Sequence, residues 1–374
     1  MTRKTIWTIL LFTILQWHCV QAYVSPYKSL ATGYLVVEGY ISGNSSSYIR
    51  LSRSIPLPGD SAIPAVTGAH LQLEGTDGSI GQFTDSANGY YILPPVALNT
   101  ATRYRLRITN INNETYLSDY VPYKPTPPID SISWTLNPSG VNIYANTHDP
   151  TGNTRYYQWN YIETWQYTSA EPSGILWNGD SLVPRPASQQ IYDCWHIDTA
   201  ATVLIGTSEA LAQDLIYAQP LIFIPTSSRP LSVEYSVLVN QYALTDSAYQ
   251  YLSGIKTSTQ QLGSIFDAQP TQLTGNIHCL NDPSQPVLGF LAAGTLQQER
   301  IWISNAQLPG WDYFFECPLK DSLIPDIPPI LELFFGTPAW TPIATNRYQV
   351  LTNLTTCIDC TTMGGTNQKP PFWP

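Results

Sequence analysis

The sequence predicts a mainly β protein: an N-terminal antiparallel β-sandwich followed by a larger, mostly β domain with one clear and one short helix. Three observations carry this. Apolar and polar residues alternate over short runs, the runs are separated by turn pairs such as Asp77-Gly78 and Asn88-Gly89, and only one stretch shows a clear helical period. The composition agrees, with 12% charged residues alongside 24 Tyr and 11 Trp. At 374 residues the chain exceeds a usual single core, so two domains are expected. A net charge of −10 with no basic cluster argues against a nucleic-acid partner, whose phosphates call for grouped Lys and Arg.

The first residues read as an export signal. Arg3 and Lys4 precede an apolar run from Ile6 to Trp17, too short to span a bilayer and of signal-peptide length. Two processing sites compete on local grounds. Cleavage after Ala22 would release a soluble chain; cleavage before Cys19 would free a cysteine for lipidation.

Leu35, Val37 and Ile41 share one face of an extended segment, and Ile49 and Leu51 alternate with Arg50 and Ser52 on the return strand. Leu71 and Leu73 repeat the pattern, as do Tyr104, Leu106 and Ile108 among Arg103, Arg105 and Arg107. This sandwich is placed at 31–123. The proline-rich segment 124–130, KPTPPID, removes amide donors and favours an extended, semi-rigid linker. The second domain is placed at 131–374.

In that domain Arg155 to Tyr167 is the most aromatic stretch. As one strand it puts Tyr157, Trp159, Tyr161, Trp165 and Tyr167 on a single face with Glu163 among them. A core strand is the favoured reading, with an exposed binding surface as the alternative. Gly174 to Ser188 reads as a surface loop, Thr202 to Ile205 as a strand and Ser208 to Leu215 as the short helix. Leu221 to Ile224 and Leu231 to Gln241 are β-like. The clear helix follows, capped by Thr245 or Asp246, with Ala248, Tyr251, Leu252 and Ile255 at helical spacing and Gly263 as its stop. Val287 to Ala293 and Arg300 to Ser304 read as a strand pair, and Pro325 to Pro329 and Pro338 to Pro342 as turns.

Beyond Cys19, five cysteines remain: Cys194, Cys279, Cys317, Cys357 and Cys360. In an exported chain they are disulfide candidates, and a bond from Cys357 or Cys360 to Cys279 would tie the tail to the segment 263–279. No catalytic residues, metal ligands or cofactor are assigned. His70, His148, His196 and His278 stand in no metal or hydrolase motif. His278 and Cys279, as neighbours on a strand, would point to opposite faces. Cys357-Ile358-Asp359-Cys360 would need two further ligands for a zinc site, of which Cys279 with His278 is a weak supply, and it lacks the context of a redox motif. Glu163 and Asp267 are the carboxylates of interest, both read as structural, Asp267 as a turn acceptor.

The segments YLVVEGYI, RYYQWNYIETWQY, YSVLVNQYAL, GSIFDAQPTQLTGNIHC, VLGF, CIDC and GGTNQKPPFW occur in order along the mature chain. Through them the chain resembles a family of Bacteroidota outer-membrane lipoproteins of unknown function, DUF4249. GAHLQLEGTDG, NGYYIL and YRLRI separately resemble carboxypeptidase-regulatory-like, transthyretin-like domains. The first resemblance implies a signal peptide over 1–18, a lipid on Cys19 and a tether over 19–30, since CVQAYVSP is similar to the family's lipidated start. It also implies an outer-membrane, outward-facing location beside a TonB-dependent transporter barrel. The expected function is therefore non-enzymatic, as an accessory or substrate-binding partner of such a transporter, with a glycan or peptide as ligand. The alternatives are a surface adhesin or scaffold binding glycan or protein, and a carbohydrate-active enzyme using Glu163 with a second acid. Replacing Cys19 by Ser is expected to move the protein from the membrane fraction to the soluble one; unchanged fractionation would rule out the anchor.

Overall fold

The computed structural model describes residues 33–55, 62–260, 275–317, 321–323, 328–336, 339–346 and 348–374. The expected signal peptide over 1–18, Cys19 and the expected tether over 19–30, together with Gly263, Phe266, Asp267, Pro270 and Leu273, lie outside the described residues. Among those described, no helix is long and apolar enough to cross a membrane.

The fold is mainly β. Its N-terminal part contains β1 (Leu35–Ser42), β2 (Ser47–Arg53), β3 (His70–Gly75), β4 (Ile80–Gln82), β5 (Thr84–Asp85), β6 (Tyr90–Leu93), β7 (Arg103–Thr109), β8 (Thr115–Ser118) and β9 (Val121–Lys124). The alternation does what it predicts: Leu35, Val37, Ile41, Ile49, Leu51, Leu71, Leu106 and Ile108 fall into one buried cluster. On the opposite face of β7, Glu74 of β3 takes the Nε of Arg105 at 2.6 Å and of Arg107 at 2.5 Å. Burial would raise the Glu74 carboxyl, but these guanidinium bonds outweigh it and hold the group below its usual range.

The next strands are β10 (Ile129–Asn137), β11 (Gly140–His148), β12 (Tyr156–Thr168), β13 (Ile175–Trp177), β14 (Leu182–Pro184), β15 (Asp193–Thr199), β16 (Leu204–Thr207), β17 (Leu215–Pro225) and β18 (Glu234–Leu244). Strands β10, β11 and β17 make a three-stranded sheet. Strands β15, β12 and β18, with β22 (Leu296–Ser304) beyond β18 and β16 also on β12, make a five-stranded one. Val141, Ile143 and Ile222 from the first sheet share one core with Tyr157, Trp159, Val237, Val239 and Ile303 from the second. Buried Gln241 satisfies the Trp159 indole, accepting its Nε1–H at 2.9 Å, as a buried donor requires.

Helix α1 (Asp246–Gln260) follows β18. The Thr245 hydroxyl accepts the amide of Ala248, the expected N-cap. The chain then does something periodicity does not reveal. Strands β19 (Ile277–Cys279), β20 (Val287–Gly289) and β21 (Ala293–Gly294), expected within the C-terminal domain, pair with the N-terminal strands. β19 lies antiparallel on β8, β20 parallel on β1, and β21 parallel between β1 and β9. Together they complete a 12-stranded hydrogen-bonded sheet, so the N-terminal unit is not purely antiparallel. Two glycines permit the approach. A Cβ on Gly289, at φ +140, would stand 2.2 Å from the Val37 carbonyl oxygen, and one on Gly275 would stand 1.8 Å from that of Gly289.

The expected pairing of Val287–Ala293 with Arg300–Ser304 is therefore corrected: the former adds to β1 and the latter to β18. Ser208–Leu215 is not a helix either; turns lead into β17. Their span holds Asp214, whose buried carboxylate accepts hydrogen bonds from Ser208 Oγ and, at 2.7 Å, Tyr157 Oη, giving the turns tertiary anchors a helix would have to break. A short helix forms instead at α2 (Pro328–Phe335), where prolines in the first turn cost no helical hydrogen bond. Strands β23 (Asp321–Leu323), β24 (Trp340–Thr345) and β25 (Val350–Leu354) and helix α3 (Thr355–Ile358) complete the C-terminal part.

The disulfides join Cys194 to Cys360 and Cys317 to Cys357. Cys279 is a buried free thiol. The expected tie from the tail to Cys279 is thus corrected: β19 buries that side chain in the N-terminal core, whereas Cys194 and Cys360 share a small core with Tyr167. Beyond them the tail crosses the outer face of the five-stranded sheet. Trp373 meets Trp302 edge-on at 4.8 Å, and Arg300 sits 4.0 Å over the Phe372 ring. Peptide mapping without reduction is expected to recover both bonds, with Cys279 alkylated only after unfolding; a peptide linking Cys279 to the tail would contradict this. Cys194→Ser, opening a 166-residue separation, is expected to lower stability by about 5 kcal/mol in the chain-entropy account.

Candidate functional site

The aromatic face of β12 divides into three zones. Tyr157 and Trp159 are buried between the two sheets, their rings stacked at 5.7 Å. Tyr167 is buried against the Cys194–Cys360 pair and donates its hydroxyl to the Cys360 carbonyl at 2.8 Å. Tyr161 and Trp165, between these zones, are half-buried and pack on the edge of the core. The face is a core face, and the alternative of an exposed platform of all five rings does not fit it. Large exposed aromatics lie elsewhere, at Tyr217 and Phe223 of β17.

Glu163 stands between the two half-buried rings. Cross-strand register sets Asp198 of β15 opposite Glu163 and His196 opposite Trp165, so all four side chains point to one face. The His196 ring stacks on Trp165 at 4.5 Å and its Nδ1 lies 3.0 Å from the Gly364 carbonyl oxygen. Tyr235 donates its hydroxyl to Glu163 Oε1 at 2.6 Å. Burial raises the Glu163 carboxyl above its usual value and the nearby Asp198 charge adds to this, while the Tyr235 bond works against it. Burial, then the charges of Glu163 and Asp198, push the Tyr161 hydroxyl up to about 12. The arrangement could hold a proton on Glu163 beside an exposed carboxylate.

A second feature is an open cleft of about 310 Å³. One wall comes from the hairpin β13–β14, the other from α2, β24 and the start of α3; Trp177, Phe335 and Trp340 supply aromatic surface, and Arg185, Gln189 and Thr355 supply polar groups. Phe335 belongs to a small core with Leu331 and Val350, against which Trp177 and Trp340 pack half-buried. Arg185 is held firmly. Its Nε and Nη2 donate to Ser173 Oγ at 3.2 and 3.1 Å, Nη2 also to the Ile175 carbonyl at 3.0 Å, and Nη1 to the Gln189 carbonyl at 3.3 Å. Burial draws its pKa down from the ordinary arginine value, and the field of Asp359 opposes that shift.

Sequence reasoning missed this cleft by reading 174–188 as loop. Asn178-Gly179 between apolar triplets was the available hairpin signal; Asn178 Oδ1 accepts the amides of Asp180 and Ser181 and so closes the turn. The other candidate residues do not converge. Cys357 and Cys360 bond to different partners, and His278 turns outward to Asp119, at 3.3 Å, away from buried Cys279. Among the described residues no cluster of three His, Cys, Asp or Glu could hold a metal ion.

A match to DUF4249, a domain of unknown function, covers residues 22–300. The chain belongs to the DUF4249 family. Within this DUF4249 protein the match takes in the N-terminal sandwich, β10 to β18, α1 and the returning strands, and it stops inside β22. The hairpin wall of the cleft lies within it and the opposite wall beyond it. No curated protein matches the chain. Among solved structures, a two fibronectin type-III domain segment from chicken tenascin aligns at 10% identity over 56% of this chain and 90% of that one, with a TM-score of 0.17. A superposition at that score carries no argument.

The Glu163 environment makes a pH prediction. Because the folded protein keeps this carboxyl protonated to higher pH than the unfolded chain does, it binds the extra proton, and stability falls as pH rises from the unfolded value through the raised one. Glu163→Gln should therefore raise Tm relative to the parent at neutral pH, with the difference shrinking toward pH 4. A constant difference across that range in calorimetry would show that Glu163 titrates normally.

Proposed function

We propose that this DUF4249 protein is a non-enzymatic, lipid-anchored surface protein of the outer membrane that serves as an accessory or substrate-binding partner of a TonB-dependent transporter. The observation that carries the binding role is the open, aromatic-walled cleft with a fixed guanidinium and amide at its rim. Its volume is at the lower end of small-ligand sites, about 300–1,000 Å³. The walls stand on the β13–β14 hairpin and on C-terminal segments tied by the Cys317–Cys357 and Cys194–Cys360 disulfides, which favours a preformed cleft. The transporter and the lipid rest on the family resemblance and on Cys19.

One observation favours a second reading, a carbohydrate-active enzyme. Glu163 and Asp198 are cross-strand neighbours in different environments, the disposition a glycosidase uses for its acid and its second carboxylate. Against it, Glu163 Oε1 is already taken by the deeply buried Tyr235.

Affinity purification of the tagged full-length chain from detergent-solubilised native outer membrane is expected to bring down a TonB-dependent barrel in comparable amount. Recovery without any barrel would overturn the transporter role and leave an adhesin or scaffold. Glycan hydrolysis that Glu163→Gln abolishes would overturn the non-enzymatic assignment.

A further inference from the structure

The cleft's lining points to a class of ligand. Arg185 is part of the wall, yet its described hydrogen bonds go only to neutral oxygens of Ser173, Ile175 and Gln189. Among the described residues no carboxylate lies within ion-pair distance of it, in contrast to Arg105 and Arg107 with Glu74. Asp359, whose charge acts on Arg185, has its Oδ1 engaged by the amide and hydroxyl of Thr361. A guanidinium carries five N–H donors; the described hydrogen bonds from Arg185 use four of them, all to neutral oxygens, on a half-buried side chain that lines the cleft. Such a group favours an anion, and a carboxylate gains a charge-assisted bond there.

The rest of the lining specifies what the carboxylate is attached to. Trp177 and Trp340 line the cleft with half-buried aromatic surface, and Gln189 and Thr355 line it with an amide- and a hydroxyl-bearing side chain. Aromatic faces with polar groups at the edge suit a body with one apolar face and a rim of hydroxyls. A cleft of about 310 Å³ has room for one or two such rings. A peptide terminus would want main-chain partners, but next to β13 the Gly174 amide is already bonded to the Ile343 carbonyl of β24. We propose that the cleft binds the terminal ring of an acidic saccharide, of the uronic acid class, with the sugar face on the Trp177–Trp340 walls and the carboxylate on Arg185. This rests on the binding role proposed above and names its ligand. Because one wall lies past residue 300, where the family match ends, the preference belongs to this chain's own C-terminal segment as well as to the family portion.

The test is titration of the intact, disulfide-bonded protein with D-glucuronate, with D-glucose as the neutral counterpart, following tryptophan fluorescence. Glucuronate is expected to give a saturable change and to bind at least about tenfold more tightly than glucose, the worth of one charge-assisted bond. That advantage should shrink as salt rises. Arg185→Gln should erase the preference for glucuronate. Since Arg185 also braces the hairpin, Trp177→Ala and Gln189→Ala provide independent variants; both should weaken glucuronate binding with both disulfides retained. Equal affinity for the two sugars, or no saturable response to glucuronate, overturns the inference. Binding of a short peptide through its free C-terminal carboxylate, without glucuronate binding, overturns the saccharide assignment. The barrel purification separates the two readings. A barrel recovered with a chain that ignores glucuronate refutes only the ligand, and glucuronate binding without a barrel refutes only the transporter role.

Discussion

The return of residues 275–294 to the N-terminal sheet is the constraint on which the rest of the architecture depends. After β18 and α1 the chain could have stayed with the second sandwich. Instead it lays β19, β20 and β21 onto strands formed more than a hundred residues earlier. Asn276 secures the return by exchanging two hydrogen bonds with Leu291, at 3.0 and 2.7 Å. Asn44, in the turn after β1, does the same with Leu296 at the start of β22, at 2.8 and 2.9 Å. The proline linker is drawn into this joint as well. Buried Thr126 bonds to both Thr295 and Ala243, and Gln241 reaches the Pro127 carbonyl. Such a joint holds the two sandwiches in register far more firmly than a free polyproline tether could.

The cost falls on folding. Pairings between β1 and β20 or β8 and β19 close very long loops, and that entropy is lost before the contacts form. The same logic applies to the C-terminal part, where small cores around Phe335 and Ile358 are modest and two disulfides supply the restraint that burial alone would not. Both candidate sites lie near such joints. The cleft is the seam between a hairpin and the disulfide-bound C-terminal segments. The Glu163 pair lies where β12 meets the edge strand β15, and its neighbours Tyr161 and Trp165 are half-buried there.

Much of this was legible in the residues. Alternation located β1, β2, β7 and β12, and Thr245 with the period of Ala248, Tyr251 and Leu252 located α1. The core reading of Tyr157 and Trp159 follows from the large apolar area they remove from water, roughly 25 cal/mol per Å². Other features carried no such pattern. Three-residue strands such as β13, β19 and β20 are too short for a period of two to register. A parallel pairing has no turn to announce it, and the proline pair that opens α2 reads as a break although it starts a helix.

The sequence by itself determined the β class, the main strands, the long helix with its cap and the family, because each rests on residues adjacent in the chain or on order along it. Only the tertiary structure decided that Cys194 pairs with Cys360 and Cys317 with Cys357, that Asp198 stands opposite Glu163, and that Trp177 and Arg185 meet Phe335 and Trp340. These are relations between residues some 35 to 170 positions apart, set by register and packing, for which one chain read in order holds no local signal.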